Sequence, residues 1–550
     1  MKDFDSWIYI SRYLTIHDIL NCSITCRKFH QVFNQQRIWK ELIARDFDKF
    51  GILEYKQEYM KLFYIYHTMC NGQHKTNTLE CPPAVVTNML LHEWEHLNNP
   101  IFGLVVSFDD PLVNVYQLST LDDTINAQSH KLHTFTRFGG GIWALAALKH
   151  ILCLGSTDRN IHIVDLISGQ YLSVLNGHTG TIRCLSVNII DFNWVLVSGS
   201  RDKTIKIWNL QKLVDEFKPQ SEDTQSDNST ALRRSTRINN NPPHLSSPST
   251  SPQNAASTDK YCLSTLNGHG DSVRSLSCTN SIIVSASYDR SARIWNYAGD
   301  MLHELVGHQD KVYAVTCDGK FVWTGSLDNT IRIWDVQFGQ CLQVLEHHRS
   351  LVGIIDQSSR YIVSASADSS ISVYPRDFLA LQHKMEFDRN IRKVYGMYSL
   401  NAFKASPINN AYLPLTQYRH TLQNHMFGNT FRHLPVDTPI PFPILHHIEV
   451  NLTAITCMTH NTHFLVVGCD GIIKLYNIQT GEFIRDLVTG ITNVWRIKIT
   501  DRHVIIALSR NQKSEILCLD FYVQKGFPIG LNTMFRTQSI NNMDDSTDED

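Results

Sequence analysis

From about residue 140 the apolar positions fall in short Val/Ile/Leu-rich runs separated by Gly, Asp, Asn and Ser. Runs too short for helices and bounded by turn residues predict strands. They also recur. Gly177-His178, Gly268-His269 and Gly307-His308, with a decayed copy at His347-His348, each precede an apolar strand, a small-residue stretch such as Ser198-Gly199-Ser200 or Ser285-Ala286-Ser287, and an Asp. In the three intact copies the next strand ends in Ile-Trp. Asp202 to Trp208, Asp289 to Trp295 and Asp328 to Trp334 are each six residues apart, and Asp289, Asp328 and Asp368 follow one another at 39 and 40 residues.

A fixed period of this length, with four strands in each unit, resembles the WD repeat, whose units are the blades of a β-propeller. Weaker copies flank the strong ones. Upstream lie Ile142–Leu145 with Gly155–Asp158 and Ile161–Asp165, and before them two strands of a degenerate first blade, Ile101–Phe108 and Leu112–Leu118. Downstream lie Leu351–Gly353 with Ser364–Asp368, Ala454–Cys457 with Val467–Asp470, and Asn493–Arg496 with Val504–Leu508 and Ile516–Phe521. The count is eight blades, and a closed ring leaves no long free sheet edge. The expected fold is therefore mainly β, an eight-bladed propeller. Its repeated His, Asp and Trp residues are expected to be scaffold.

The first fifty residues follow a different rhythm. Leu14, Ile19, Leu20, Ile24, Phe29, Val32, Phe33, Ile38, Trp39 and Leu42 recur at helical spacings, and Thr15–Asp18 reads as a helix start. A unit this small needs a neighbour to bury its core. Residues 53–70 continue as an aromatic-rich helix. The expected organisation is a helical unit at 1–46, a helical linker at 47–80, blades one to three at 81–211, blades four to six at 261–377, and blades seven and eight at 447–530. Two insertions interrupt the ring. Residues 212–260, rich in Ser, Thr, Asn, Pro and Gln, are expected to be a disordered loop between the third and fourth blades. Residues 378–446 read as a longer irregular loop, and 531–550 as an acidic, unstructured tail. Arg233, Arg234 and Arg237 within the first insertion read either as a solvated charge run or as a localisation or phosphorylation cue.

Composition narrows the function. A net charge of −2 and a pI near 6.9 provide no global field for nucleic acid or anionic membrane, so anion binding must be local. Thirteen cysteines, with no paired spacing and no zinc pattern, predict a reduced, intracellular chain without a metal or cofactor. Cys153, Cys184, Cys278, Cys317 and Cys518 fall in strands as small apolar fillers. No cysteine sits in a recognisable Cys/His site, so no catalytic residue is expected and the chain reads as a non-enzyme.

Local anion chemistry comes from three arginines: Arg183 in Thr-Ile-Arg-Cys, Arg201 in Gly-Ser-Arg-Asp and Arg274 in Ser-Val-Arg-Ser. In a propeller, the loop entering the inner strand and the turn after the second strand lie on one face. Early in the inner strand the ring reads Trp143, Arg183, Arg274, Tyr313, Gly353, Thr456 and Trp495. Before the turn Asp it reads Thr157, Arg201, Tyr288, Leu327, Ala367 and Cys469. Polar and aromatic members cluster on blades two to five, as a binding patch would. Guanidinium offers a rigid fork of donors that suits phosphate. Arg159, Arg290, Arg293 and Arg332 lie beside these positions and are expected to face solvent.

Asp18–Phe29 followed by Arg37–Leu42 resembles the F-box, departing at the start, where Lys2-Asp3 replaces the usual Leu-Pro. With the propeller it resembles the F-box/WD-repeat substrate receptors of SCF ubiquitin ligases, in the branch of the fungal cell-division-control receptor and its animal phosphodegron-binding relatives. The resemblance implies a Skp-type adaptor, and through it a cullin/RING ligase, as partner, with Leu14, Ile19, Leu20, Cys26 and Trp39 as adaptor-binding residues. It also implies that Arg183, Arg201, Arg274 and Tyr288 hold the phosphate of a Ser/Thr-Pro degron, that Trp143 and Thr157 form a pocket for the following proline, and that substrates go to the proteasome. Tyr313 adds aromatic surface. A nuclear and cytoplasmic location is expected. The other readings are a phosphopeptide-binding scaffold uncoupled from a ligase, and a generic WD-repeat scaffold that ignores phosphate.

Overall fold

The computed structural model describes residues 14, 19, 35–49, 54–97, 99–119, 130–217, 260–376, 444–450 and 453–522. Their strands form eight four-stranded antiparallel sheets, each with its innermost strand against the next, in a closed eight-bladed propeller. Blades one to seven span 86–135, 142–175, 182–266, 273–306, 312–345, 352–449 and 455–489. The eighth takes three strands from 493–520 and its outermost from Lys75–Leu79, which pairs antiparallel from Lys75 opposite Asp520 to Leu79 opposite Ile516. Apolar residues fill the spaces between neighbouring sheets. Trp334 and Val312 of blade five, for example, share a core with Val284, Ala286 and Ile294 of blade four.

A repeated hydrogen-bond set locks each strong blade. His178 Nδ1 lies 2.7 Å from Asp202 Oδ2, and its Nε2 lies 2.7 Å from Ser198 Oγ, which also accepts from Trp208 Nε1 at 2.9 Å. The carboxylate accepts backbone N–H groups of Thr179 and Thr204 as well, so one side chain fastens the loop entering the blade to the turn inside it. His269, Asp289, Ser285 and Trp295 repeat the set, as do His308, Asp328, Thr324 and Trp334. Burial pushes these carboxyls up, but the bonds they accept from His and Thr or Ser outweigh it and hold Asp202, Asp289 and Asp328 well below the usual range. The histidines and aspartates are scaffold, as their spacing predicts.

Three expectations need correction. The segment expected to be linker holds a helix only to Asn71, and Lys75–Leu79 is a strand of the last blade. Both insertions fall within a blade, between its third and outermost strands. The first leaves blade three through a helix, Leu210–Phe217, and the chain returns as Cys262–Leu266; the second precedes His446–Glu449, which completes blade six. The first blade has four strands, the innermost being Val86–His96, whose run of mixed polarity hides its pairing. Residues 218–259, 377–443 and 523–550 lie outside the described residues, as does most of the first helical unit.

Two described helices precede the ring, α1 (Gln36–Phe47) and α2 (Tyr55–Asn71). Trp39 of α1 packs edge-on against Tyr59 of α2, ring centroids 5.4 Å apart. Helix C-termini leave unsatisfied carbonyls, and here propeller arginines take them. Arg360 Nη2 donates to Ala44 O and Arg45 O at 3.2 and 2.9 Å, and Arg485 Nε donates to Met69 O at 2.9 Å. Thr68 donates to Phe521 O at 2.7 Å, Lys49 pairs with Asp501 at 2.7 Å, and Phe47 and Tyr66 both lie edge-on to His463. Arg360, His463 and Asp501 sit in the turns between first and second strands of blades six, seven and eight. The helices therefore dock on the face opposite the Asp-bearing turns.

His463 makes this docking pH-sensitive. Burial, then the nearby Arg360 charge, pushes its pKa down to about 4. A base whose folded pKa lies below its ordinary value of about 6.5 binds more protons when unfolded, so stability is lost as pH falls from about 6.5 toward 4. Melting temperatures of wild type and His463→Gln across this range should show the wild type losing more. Parallel curves would remove His463 as the cause.

Candidate oxyanion site at the propeller mouth

The antiparallel register slips by one residue near the start of every inner strand. The extra residues are Thr87, Trp143, Arg183, Arg274, Tyr313, Gly353, Thr456 and Trp495. A β-bulge bends its strand and re-aims one side chain out of the pleat. The seven positions read around the ring from sequence are thus bulge residues, and the eighth, in blade one, is Thr87. The second ring of positions is fastened beside the first. The backbone N–H groups of Thr157, Arg201, Tyr288, Leu327 and Ala367 donate to the carbonyls of Gly141, Thr181, Ser272, Lys311 and Leu351, each one residue before the strand residue that precedes the bulge.

This geometry brings Arg183, Arg201 and Arg274 within mutual electrostatic reach. Burial lowers the Arg183 pKa first, and the charges of Arg274 and Arg201 lower it further, while Tyr288 opposes them. No carboxylate pairs with any of the three among the described residues. The Arg183 guanidinium lies 5.0 Å from the centroid of the Trp143 ring, in cation–π contact. Trp143 is 39% exposed, so the remainder of the ring faces solvent beside exposed Thr157. Tyr288 and Tyr313 lie 5.0 Å apart and tilted by 43°. Burial, then Tyr288, raises the Tyr313 pKa, so its hydroxyl keeps its proton.

Two cations of this region escaped the sequence reading. Lys311 Nζ sits 5.3 Å from the Tyr288 centroid; it stands two residues before its bulge, and reading that third ring of positions would have found it. Arg496 follows the bulge residue Trp495 and is within reach of Arg274 from across the ring. Arg159 and Arg290 are exposed, as expected. Arg293 is not solvent-facing: its side chain is 11% exposed and paired with Glu304. Arg332 is half-buried, its Nη1 4.0 Å from Cys341 Sγ.

The expected adaptor surface fares differently. Ile19 and Trp39 are buried, Trp39 with its ring edge-on to Tyr59 of α2. Leu14 is half-buried, with its carbonyl accepting from Arg45 Nη1 at 3.0 Å. Leu20 and Cys26 lie outside the described residues. Among the described residues no cluster of His, Cys, Asp and Glu is placed to hold a metal ion.

Similarity to known proteins agrees with the repeat fold. The model of the WD domain, G-beta repeat, matches residues 169–209, 260–296, 299–335 and 339–374, and the F-box-like model matches 6–45. The chain thus combines WD repeats, set in an eight-bladed propeller, with an F-box-like N-terminal segment. It is similar to cell division control protein 4 of Candida albicans, 24% identical across 92% of this chain and 65% of that protein, and to cell division control protein 4 of Saccharomyces cerevisiae, 24% identical across 76% and 45%. WD repeat-containing protein pop1 of Schizosaccharomyces pombe is 29% identical across 37% of this chain and 25% of that protein. The chain spans between a quarter and under half the length of the first curated relatives it matches. In fold it resembles the computationally designed Ika8 protein, with a TM-score of 0.51 at 18% identity over 80% of this chain and 98% of that one.

Because unpaired like charges repel, Arg274→Ala should leave the melting temperature within about 2 °C of wild type, or raise it at low salt. A loss of more than about 5 °C would mean the guanidinium is structural.

Proposed function

We propose that this chain is the substrate-recognition subunit of an SCF-type ubiquitin ligase, reading phosphorylated Ser/Thr-Pro segments at the propeller mouth. The observation that carries this reading is the unpaired arginine trio. Three guanidinium groups on bulge and turn positions of adjacent blades, without a counter-carboxylate among the described residues, form a site that an anion completes. A phosphorylated side chain brings roughly −1.5 to −2 charges and three acceptor oxygens. Each charge-assisted bond contributes about 1.5–3 kcal/mol, so two or three reject the unphosphorylated peptide strongly. The solvent-facing part of Trp143 beside Thr157 suits a proline ring just past the phosphate, and Tyr288 offers a phenolic donor on the other side.

Ligase coupling draws on the F-box-like segment and on the placement of α1 and α2. They are fixed by Arg360 and Arg485 to the face away from the mouth, so an adaptor bound there would leave the peptide site open. The chain would then act by position, holding a bound protein within reach of a ligase, with no reacting group of its own.

A fluorescence titration should find a Leu-Pro-pThr-Pro peptide bound at least about 100-fold more tightly than its unphosphorylated twin, with Arg274→Ala losing most of that difference. Equal binding of both peptides would leave only a generic scaffold. Expressed with a Skp-type adaptor and cullin, the chain should co-purify with both. Phosphopeptide binding without co-purification would favour a scaffold uncoupled from a ligase.

A further inference from the structure

The inner strand of blade eight, Asn493–Ile499, sends Ile497 and Ile499 into the core shared with blade seven. Arg496 and Lys498 alternate with them and go elsewhere. Arg496 Nη1 donates to its neighbour's carbonyl, Trp495 O, at 2.8 Å, and no carboxylate pairs with it among the described residues; Lys498 has no hydrogen-bond or ion-pair partner there. Their longer-range neighbours locate them. Arg496 feels Arg274, which stands on blade four, the opposite member of an eight-membered ring, so the two can meet only across the central channel. Lys498 feels Arg496 and, two blades away, Asp356 on the inner strand of blade six. Asp356 in turn lies 3.7 Å from His460 of blade seven, a buried imidazole with neither ring nitrogen hydrogen-bonded.

One carboxylate therefore faces two half-buried cations inside the channel, with the mouth arginines above adding the same sign. Partial burial lowers the pKa of both Arg496 and Lys498, and neither has an ion-pair partner among the described residues. Water in the channel would satisfy donors but leave the charge. A compact oxyanion does both, accepting from the guanidinium fork and from the ammonium group. Asp356 repels an anion beside it, which favours the Arg496 side.

We propose that Arg496 and Lys498 form a second anion seat in the channel, beneath the mouth, for a free inorganic oxyanion of the phosphate class. Filling it neutralises the floor of the arginine cluster.

The test is the melting temperature of the full chain as inorganic phosphate replaces chloride at constant ionic strength. Because free phosphate would also enter the mouth, the reference is Arg183→Ala/Arg274→Ala. That variant should still gain about 1–3 °C at saturating phosphate, and adding Arg496→Met/Lys498→Met should abolish the gain. No gain in the reference, or an undiminished gain in the fourfold variant, overturns the seat. Should the fourfold variant not fold, crystals of the wild-type chain soaked in selenate decide: anomalous density beside Arg496 supports the seat, and water alone there, or an adventitious ion only on the surface, refutes it. Peptide titration is a separate readout, so a chain that binds no phosphopeptide but keeps the Arg496-dependent gain loses the mouth proposal and retains this one.

Discussion

The pairing of Lys75–Leu79 with the strand ending at Asp520 joins parts of the chain separated by hundreds of residues, and the rest of the molecule depends on it. The ring is closed only when its last blade is complete, and here the completing outermost strand comes from before the first blade. The loop-closure entropy is paid once and grows only slowly with length, whereas the bonds and apolar burial gained are those of a full blade. The buried pair of Arg502 with Asp520, with bonds of 2.9 and 2.8 Å, anchors the C-terminal partner strand. α2 leads almost directly into Lys75, so the same closure sets where the helices meet the propeller.

Within the closed ring, two local devices make the mouth. In blades three to five the His–Asp–Ser/Thr–Trp bonds tie the entering loop to the turn beside it, and in every blade the bulge turns one side chain out of the inner strand. The scaffold recurs from blade to blade and the bulge residue varies, so chemistry can change around the ring without touching the fold. Arg183, Arg274 and Tyr313 use the device for charge and aromatic surface; Gly353 leaves its position open. The opposite face is built differently, with propeller side chains capping helix ends. An arginine-bearing face and a helix-bearing face are thus separated by the thickness of the ring.

Much of this was legible. The constant Asp-to-Trp offset marked three blades and their scaffold, because short-range hydrogen bonds demand fixed spacing. The ring map placed Arg183, Arg201, Arg274 and Tyr288 on one patch, since blade topology converts equivalent sequence positions into neighbours. Other features left no such trace. An insertion before an outermost strand looks, in one dimension, like an insertion between blades, and only the pairing of Cys262–Leu266 and His446–Glu449 assigns those strands. Trp39 has the spacing of an interface residue whether it meets an adaptor or α2. Lys311 and Arg496 carry no motif, and their relevance comes from what stands across a space.

By itself, then, the sequence determined a repeated strand unit, its locking residues, the count of blades and the arginines that give the mouth its charge. These depend on contacts between residues close along the chain or at one fixed period. The tertiary structure decided which strand closes the ring, which face receives the helices, and that Arg496 and Lys498 share the channel with Arg274 and Asp356. Those outcomes arise from long-range closure, which brings together side chains whose separation along the chain carries no period.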